Sequence, residues 1–123
     1  LVASKAKNEF LYNKLCIYIA KNPLSTNWKP LNSNPVIESN ILGRNAGLIK
    51  ESNNRIFRIS QAYLPGNYGA FISINKILDI LKNKYQERNI KKISPIHEKN
   101  IKGIHTLNYA KNFTVFDYSK WIK

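Results

Sequence analysis

Turn-forming residues return about every ten residues along this chain, and β-branched, apolar or aromatic runs fill the spaces between them. Lys14 to Ala20 is a compact apolar strand, and Lys21-Asn22-Pro23-Leu24-Ser25-Thr26-Asn27 is a polar turn cluster ending at Trp28. Pro30 and Pro35 predict an extended surface loop over Lys29 to Pro35, because proline cannot donate to a ladder. Ala46 to Lys50 and Arg55 to Gln61 read as strands flanking Glu51-Ser52-Asn53-Asn54, whose two asparagines tolerate left-handed geometry. Leu64-Pro65-Gly66-Asn67 is a further turn, feeding a strand over Gly69 to Ile74. Asn89 to Ile93, Ile104 to Tyr109 and Phe113 to Tyr118 are strand-like, with Lys111-Asn112 turning the last hairpin. The rhythm is that of sandwiches, barrels and propellers, and it predicts an all-β chain of antiparallel hairpins.

One segment breaks the pattern. Ile77, Leu78, Ile80, Leu81 and Tyr85 recur at spacings of three and four, which suits one face of a helix over Asn75 to Arg88 as well as a strand.

The length, 123 residues, predicts a single domain. Twenty Lys plus Arg stand against seven Asp plus Glu, a formal net charge of +13. A surplus of that size attracts polyanions and supports nucleic-acid contact through counterion release. The lysines are nevertheless spread along the chain among many Asn and Ile, which also reads as compositional bias without a focused patch; only Lys91-Lys92, Lys99 with Lys102, and Lys5 with Lys7 cluster locally. The lone Cys16 lies in an apolar run and reads as a buried structural thiol, so no intrachain disulfide is possible. No apolar stretch reaches the roughly 18 residues of a membrane span, and residues 1–5 lack the three-part form of a signal peptide. A cytoplasmic, soluble protein is the expectation. Methionine is absent, including at position 1, which predicts a piece of a longer chain.

Function is carried by short signatures at strand ends: Gly43-Arg44-Asn45-Ala46-Gly47, Arg55-Ile56-Phe57-Arg58-Ile59-Ser60-Gln61, Gly66-Asn67-Tyr68-Gly69 and Gly103-Ile104-His105-Thr106-Leu107-Asn108. Each puts a polar or glycine element beside an apolar run, so that loops and strand ends can converge on one rim. No carboxylate pair, metal cluster or nucleophile with its base accompanies them.

These motifs, with Tyr18 through Asn22-Pro23-Leu24 to Trp28, Asn34-Pro35-Val36, Ile74-Asn75-Lys76-Ile77 and Tyr85 with Glu87, resemble in their order the later blades of a β-fructosidase-like propeller domain. Such domains precede the transferase part of plant glucosamine inositolphosphorylceramide transferases and stand beside formyltransferase-like domains in bacteria. More distantly the chain looks like the five-bladed furanosidase fold. The resemblance runs from about Lys14 onward. It implies two to three blades of a five-bladed propeller, built as consecutive four-stranded sheets, and it implies that Ile77 to Leu81 is a strand. It also implies a carbohydrate-linked module whose exposed sheet faces are covered by missing N-terminal blades or by a second copy.

Furanosidase-type enzymes use two Asp and a Glu around a central pocket, because glycoside cleavage needs one carboxyl as acid and another as nucleophile or base. The acids here are Glu9, Glu38, Glu51, Asp79, Glu87, Glu98 and Asp117, and none lies in a signature matching a catalytic acid. Glu51 falls in a turn, and Asp79 and Glu87 read as solvated or structural charges. The catalytic residues stay unassigned, and this stretch by itself is expected not to hydrolyse a glycoside.

The candidate substrate-binding residues are Arg44, Gln61, Asn67, Tyr68, His105 and Asn108, with no metal and no cofactor. Arg44 offers a rigid fork of donors for hydroxyls or phosphate and Gln61 both donates and accepts; alternatively, Arg44 pairs with a carboxylate and Gln61 satisfies loop backbone. Tyr68 either stacks on a sugar ring or is core. The resemblance places His105 near the propeller axis, where it is either a ligand to a central ion or a hydrogen-bonded axial residue. His97, between Pro95-Ile96 and Glu98, reads as surface. Two classes of function follow: a sugar or sugar-phosphate module, or a basic module that binds nucleic acid or another polyanion. Trp28, Tyr63, Tyr68 and Tyr109 can stack in either. A sugar site is neutral, aromatic and concave, whereas polyanion binding needs Lys and Arg on one continuous face.

Overall fold

The computed structural model describes residues 2–5, 13–81, 84–96 and 99–122; Glu9, His97 and Glu98 lie outside them. Among the described residues the regular structure consists of β-strands paired antiparallel, with no α-helix, so the chain is all-β. The first sheet holds β1 (Val2–Lys5), β2 (Lys14–Ile19), β3 (Lys29–Pro30) and β4 (Ile37–Glu38), with β1, β3 and β4 each pairing with β2. The second holds β5 (Arg44–Asn45), β6 (Lys50–Ser52), β7 (Arg55–Leu64), β8 (Asn67–Leu81) and β9 (Lys84–Ile93) in the order β5-β7-β8-β9, with β6 also on β7. The third is the hairpin of β10 (Ile101–Ala110) and β11 (Phe113–Lys120). Four, five and two strands therefore replace the uniform four-stranded sheets expected.

The turns follow from backbone chemistry. Asn53 and Asn54 both adopt positive φ, 50° and 56°, as a two-residue hairpin turn whose twist matches its strands requires. The strand before it is shorter than expected, Lys50–Ser52 instead of Ala46 to Lys50. Pro65 and Gly66 join β7 to β8, with Gly66 at φ 73°, where only glycine is unstrained. Lys111 takes φ 46° in the last hairpin.

The loop expected over Lys29 to Pro35 is partly ladder: Pro30 sits opposite Tyr18 in β3. Proline is tolerated because this is a two-residue edge strand, where the lost donor faces no partner. Leu31, immediately after it, is buried, and its N–H donates to Ile17 O at 2.9 Å. Asn34 extends the pairing with its side chain, accepting from Ile17 N at 2.8 Å and donating to Ile17 O at 2.7 Å. Cys16 is a free thiol buried beside Leu15 and Ile17, as its apolar run predicts.

Ile77 to Leu81 lies within β8, and the helical spacing is overridden. A register shift between Ile77 and Asp79 inserts Leu78 as an extra residue, so the apolar positions stop alternating in twos. The strand β9 then supplies a partner for every stretch of backbone on either side of the bulge.

The two sides of the second sheet differ. Ile59, Ile72 and Ile74 face β10, where with Ala46, Ile101, Ile104 and Leu107 they form the main hydrophobic core. Arg58, Ser60, Ser73 and Asn75 alternate with them onto the opposite side and are all buried.

Candidate functional site

Three of the candidate residues come together at the end of the second sheet nearest the β7–β8 turn. Arg44 lies opposite Gln61 in the β5–β7 register, and its guanidinium carbon is 4.8 Å from the centre of the Tyr68 ring. The Tyr68 ring is in turn 4.8 Å from the His105 imidazole, tilted by 54°. The result is a row of guanidinium, phenol and imidazole contributed by β5, β8 and β10. Asp117 of β11 continues it, with Oδ2 3.9 Å from His105 Nδ1.

Glycines permit this approach. A Cβ on Gly69 would meet His105 Cδ2 at 2.7 Å and Ile104 O at 2.9 Å, and a Cβ on Gly103 would meet Tyr68 O at 2.6 Å. Gly69 also holds φ 74°, so the start of β8 crosses β10 closely only because neither crossing residue carries a side chain. Asp117 is fixed by Thr106, whose N–H and Oγ1 both donate to Oδ1, at 2.5 and 3.0 Å. Tyr68 is partly exposed, so the alternative that it is core does not hold.

Gln61 is almost fully buried, and its Nε2 has no hydrogen-bond partner among the described residues; the same holds for Asn67 Oδ1. Buried polar atoms are nearly always satisfied, and both of these are closed to solvent, so neither is presented to a ligand in this conformation. Asn108 behaves differently. Its Oδ1 accepts the Leu48 N–H at 2.9 Å, which ties the segment after Gly47 to β10. Leu107 N donates to Ala46 O beside it at 2.8 Å, so Asn108 is part of the scaffold that seats β5 against β10.

A second polar cluster was not legible as a unit in the sequence. Arg58, fully buried, donates from Nε and Nη2 to the two carboxylate oxygens of Glu87, at 2.8 and 2.6 Å. Its remaining donors reach Asn45 Oδ1 at 3.0 Å and Leu42 O at 2.7 Å. The Tyr85 hydroxyl donates to Glu87 Oε2 at 2.5 Å; burial, and secondly that hydrogen bond, push its pKa well above the ordinary tyrosine value. Beside it Asn75 donates to Ser60 Oγ at 2.9 Å and accepts from Asn89 at 3.1 Å. Glu87 is therefore structural, one of the two roles expected of it. The signal available was an arginine whose alternation with Ile59 places it on the same side as Ser60.

The acids of the described residues are dispersed. Glu38 pairs with Lys14 at 3.6 Å, Asp79 with Lys84 at 3.1 Å, Glu87 with Arg58, and Asp117 with Thr106 and His105. No helix among the described residues is long and apolar enough to cross a membrane. No family model matches this chain, and no curated protein or solved structure matches it.

Proposed function

We propose that this chain is part of a propeller-type module that binds a sugar or sugar phosphate and does not itself catalyse. The observation that carries the reading is the row Arg44, Tyr68, His105, in which three separate strands aim a cation, an aromatic face and an imidazole at one rim. Such a set is chemically suited to a phosphorylated sugar: the guanidinium forks onto phosphate oxygens, and the partly exposed phenol ring covers a sugar face. Successive antiparallel sheets along the chain, the second packed on the third through an apolar core, agree with consecutive propeller blades. In that arrangement Phe113 and Val115, exposed on the side of the last hairpin turned away from the core, meet further blades or a second copy.

Calorimetric titration with a hexose phosphate and with the parent hexose tests the site. Arg44→Gln is expected to weaken hexose-phosphate binding about tenfold or more, the scale of a charge-assisted hydrogen bond, while leaving hexose binding and the unfolding midpoint nearly unchanged. His105→Ala is expected to weaken both ligands. Binding that survives both substitutions, or the absence of any binding at millimolar ligand, refutes the reading.

A further inference from the structure

The cations that are scattered in the sequence are gathered by strand register. On the core-facing side of the second sheet, beyond the part that β10 covers, the pairings Lys50 with Phe57, Phe57 with Lys76, and Lys76 with Arg88 run without interruption across β6, β7, β8 and β9. Lys91 pairs with Ile74 on the same side, one pleat further along β9. Tyr109 of β10 closes the other end of the row, with Lys50 Nζ 4.6 Å from its ring centre. The row therefore reads cation, aromatic, cation, cation, with a second aromatic at its border. Lys50, Arg88 and Lys91 are exposed and Lys76 and Phe57 half-buried.

Charge placed this way works against the fold. Neighbouring strands lie about 4.8 Å apart, and like charges directly opposite each other, as in Lys76 and Arg88, are destabilising. The ion pairs of the described residues join Lys14 to Glu38, Arg58 to Glu87 and Lys84 to Asp79, Asp117 lies 3.9 Å from His105, and none of these falls within the row. Asp79, the nearby acid on this side, is held by Lys84 at 3.1 Å. Glu51 and Glu87 pair with Ile56 and Ile77, which alternate onto the opposite side of the sheet.

We infer that this row is a binding face for single-stranded nucleic acid, with Lys50, Lys76, Arg88 and Lys91 on successive phosphates and Phe57 under a base. A sheet surface with cations on both flanks of an aromatic ring suits a flexible phosphodiester chain, because every base offers a π-face while the backbone runs along the cations. A lipid surface would need Phe57 to protrude into it, and Phe57 is half-buried between its strand neighbours; a sulfated glycan offers the cations more charge than a nucleotide chain and its ring a smaller apolar face than a base. The face is distinct from the Arg44–Tyr68–His105 row, which lies four residues further along β7, about 13 Å away. The inference does not rest on the sugar reading.

The test is fluorescence anisotropy with labelled oligothymidine of about 12 nucleotides, in the range a sheet surface of this kind covers. Four phosphate contacts predict a log–log salt slope of about −3. Lys76→Gln, Arg88→Gln and Lys91→Gln together are expected to lower affinity at least tenfold and reduce the slope to about −1. Lys21→Gln, Lys29→Gln and Lys111→Gln remove the same charge elsewhere, from exposed positions, and are expected to change affinity less than about twofold. Phe57→Leu, with its strand content checked by circular dichroism, is expected to weaken oligothymidine binding and leave heparin binding unchanged. Equal losses from the two triple variants overturn the inference. So do oligothymidine binding that ignores Phe57→Leu, and association with phosphatidylserine vesicles or heparin when the oligonucleotide does not bind.

Discussion

The two sides of the second sheet handle the same kind of charge in opposite ways. Arg58 of β7 and Glu87 of β9 meet across the intervening strand β8 on one side, the arginine fully and the carboxylate almost fully desolvated, with every arginine donor group directed at an oxygen. On the other side of the same strands, Lys76 and Arg88 stand directly opposite each other, outside the ion pairs of the described residues. A buried charge without a partner costs several kcal/mol, so the first side had to bring its acid, amide and carbonyl together. Exposed cations are screened by water and salt and cost little, so the second side can keep a repulsive arrangement that a partner would relieve. The contrast teaches that in this molecule alternation along a strand separates a charge that holds the fold from charges that are free to act.

The largest expected effect comes from breaking the buried pair. Arg58→Met leaves Glu87 desolvated with only Tyr85 as its partner, and urea unfolding should show a loss of about 3–5 kcal/mol. A loss below about 1 kcal/mol would mean that the network contributes no more than a surface pair, and the contrast would fail. Tyr85 sharpens it further. Its phenol is harder to ionise in the folded protein, so the folded state keeps the proton while the unfolded chain releases it from about pH 10 upward. Unfolded chains then bind fewer protons, and stability falls as pH rises through that range. Tyr85→Phe should lower stability by about 1 kcal/mol at neutral pH, through the lost hydrogen bond, and should flatten the decline above about pH 10. The smallest effect is expected on the exposed side. Lys76→Glu converts the repulsive cross-strand pair with Arg88 into an attractive one, and should raise stability by about 0.2–1 kcal/mol, less at high salt. A marked loss of stability on that substitution would show that Lys76 has a role inside the fold.

Much of the scaffold is readable from local chemistry. Asn53-Asn54, Pro65-Gly66 and Lys111-Asn112 turn the chain where their backbone preferences allow, and the runs between them pair as antiparallel strands. The candidate rim is partly readable: Arg44, Tyr68 and His105 do converge, and Gln61 lies beside them in register. Asn108 was not separable from them, because an asparagine that binds a sugar and one that accepts a backbone N–H look alike in sequence. Asp117 gave no signal as a neighbour of His105, since only the hairpin register brings β11 back to that position.

Where the chain turns, that the segments between turns are strands, and that one face of each central strand is apolar all follow from residues within reach of one another along the chain. Tertiary structure alone decided what the polar positions do. Arg58 and Glu87 are separated by 29 residues, and Lys50, Lys76 and Arg88 come from three different strands, so their partners depend on register. Register is fixed by bulges such as Leu78 and by which faces find a core, and a slip of one residue would exchange the buried network with the exposed cations.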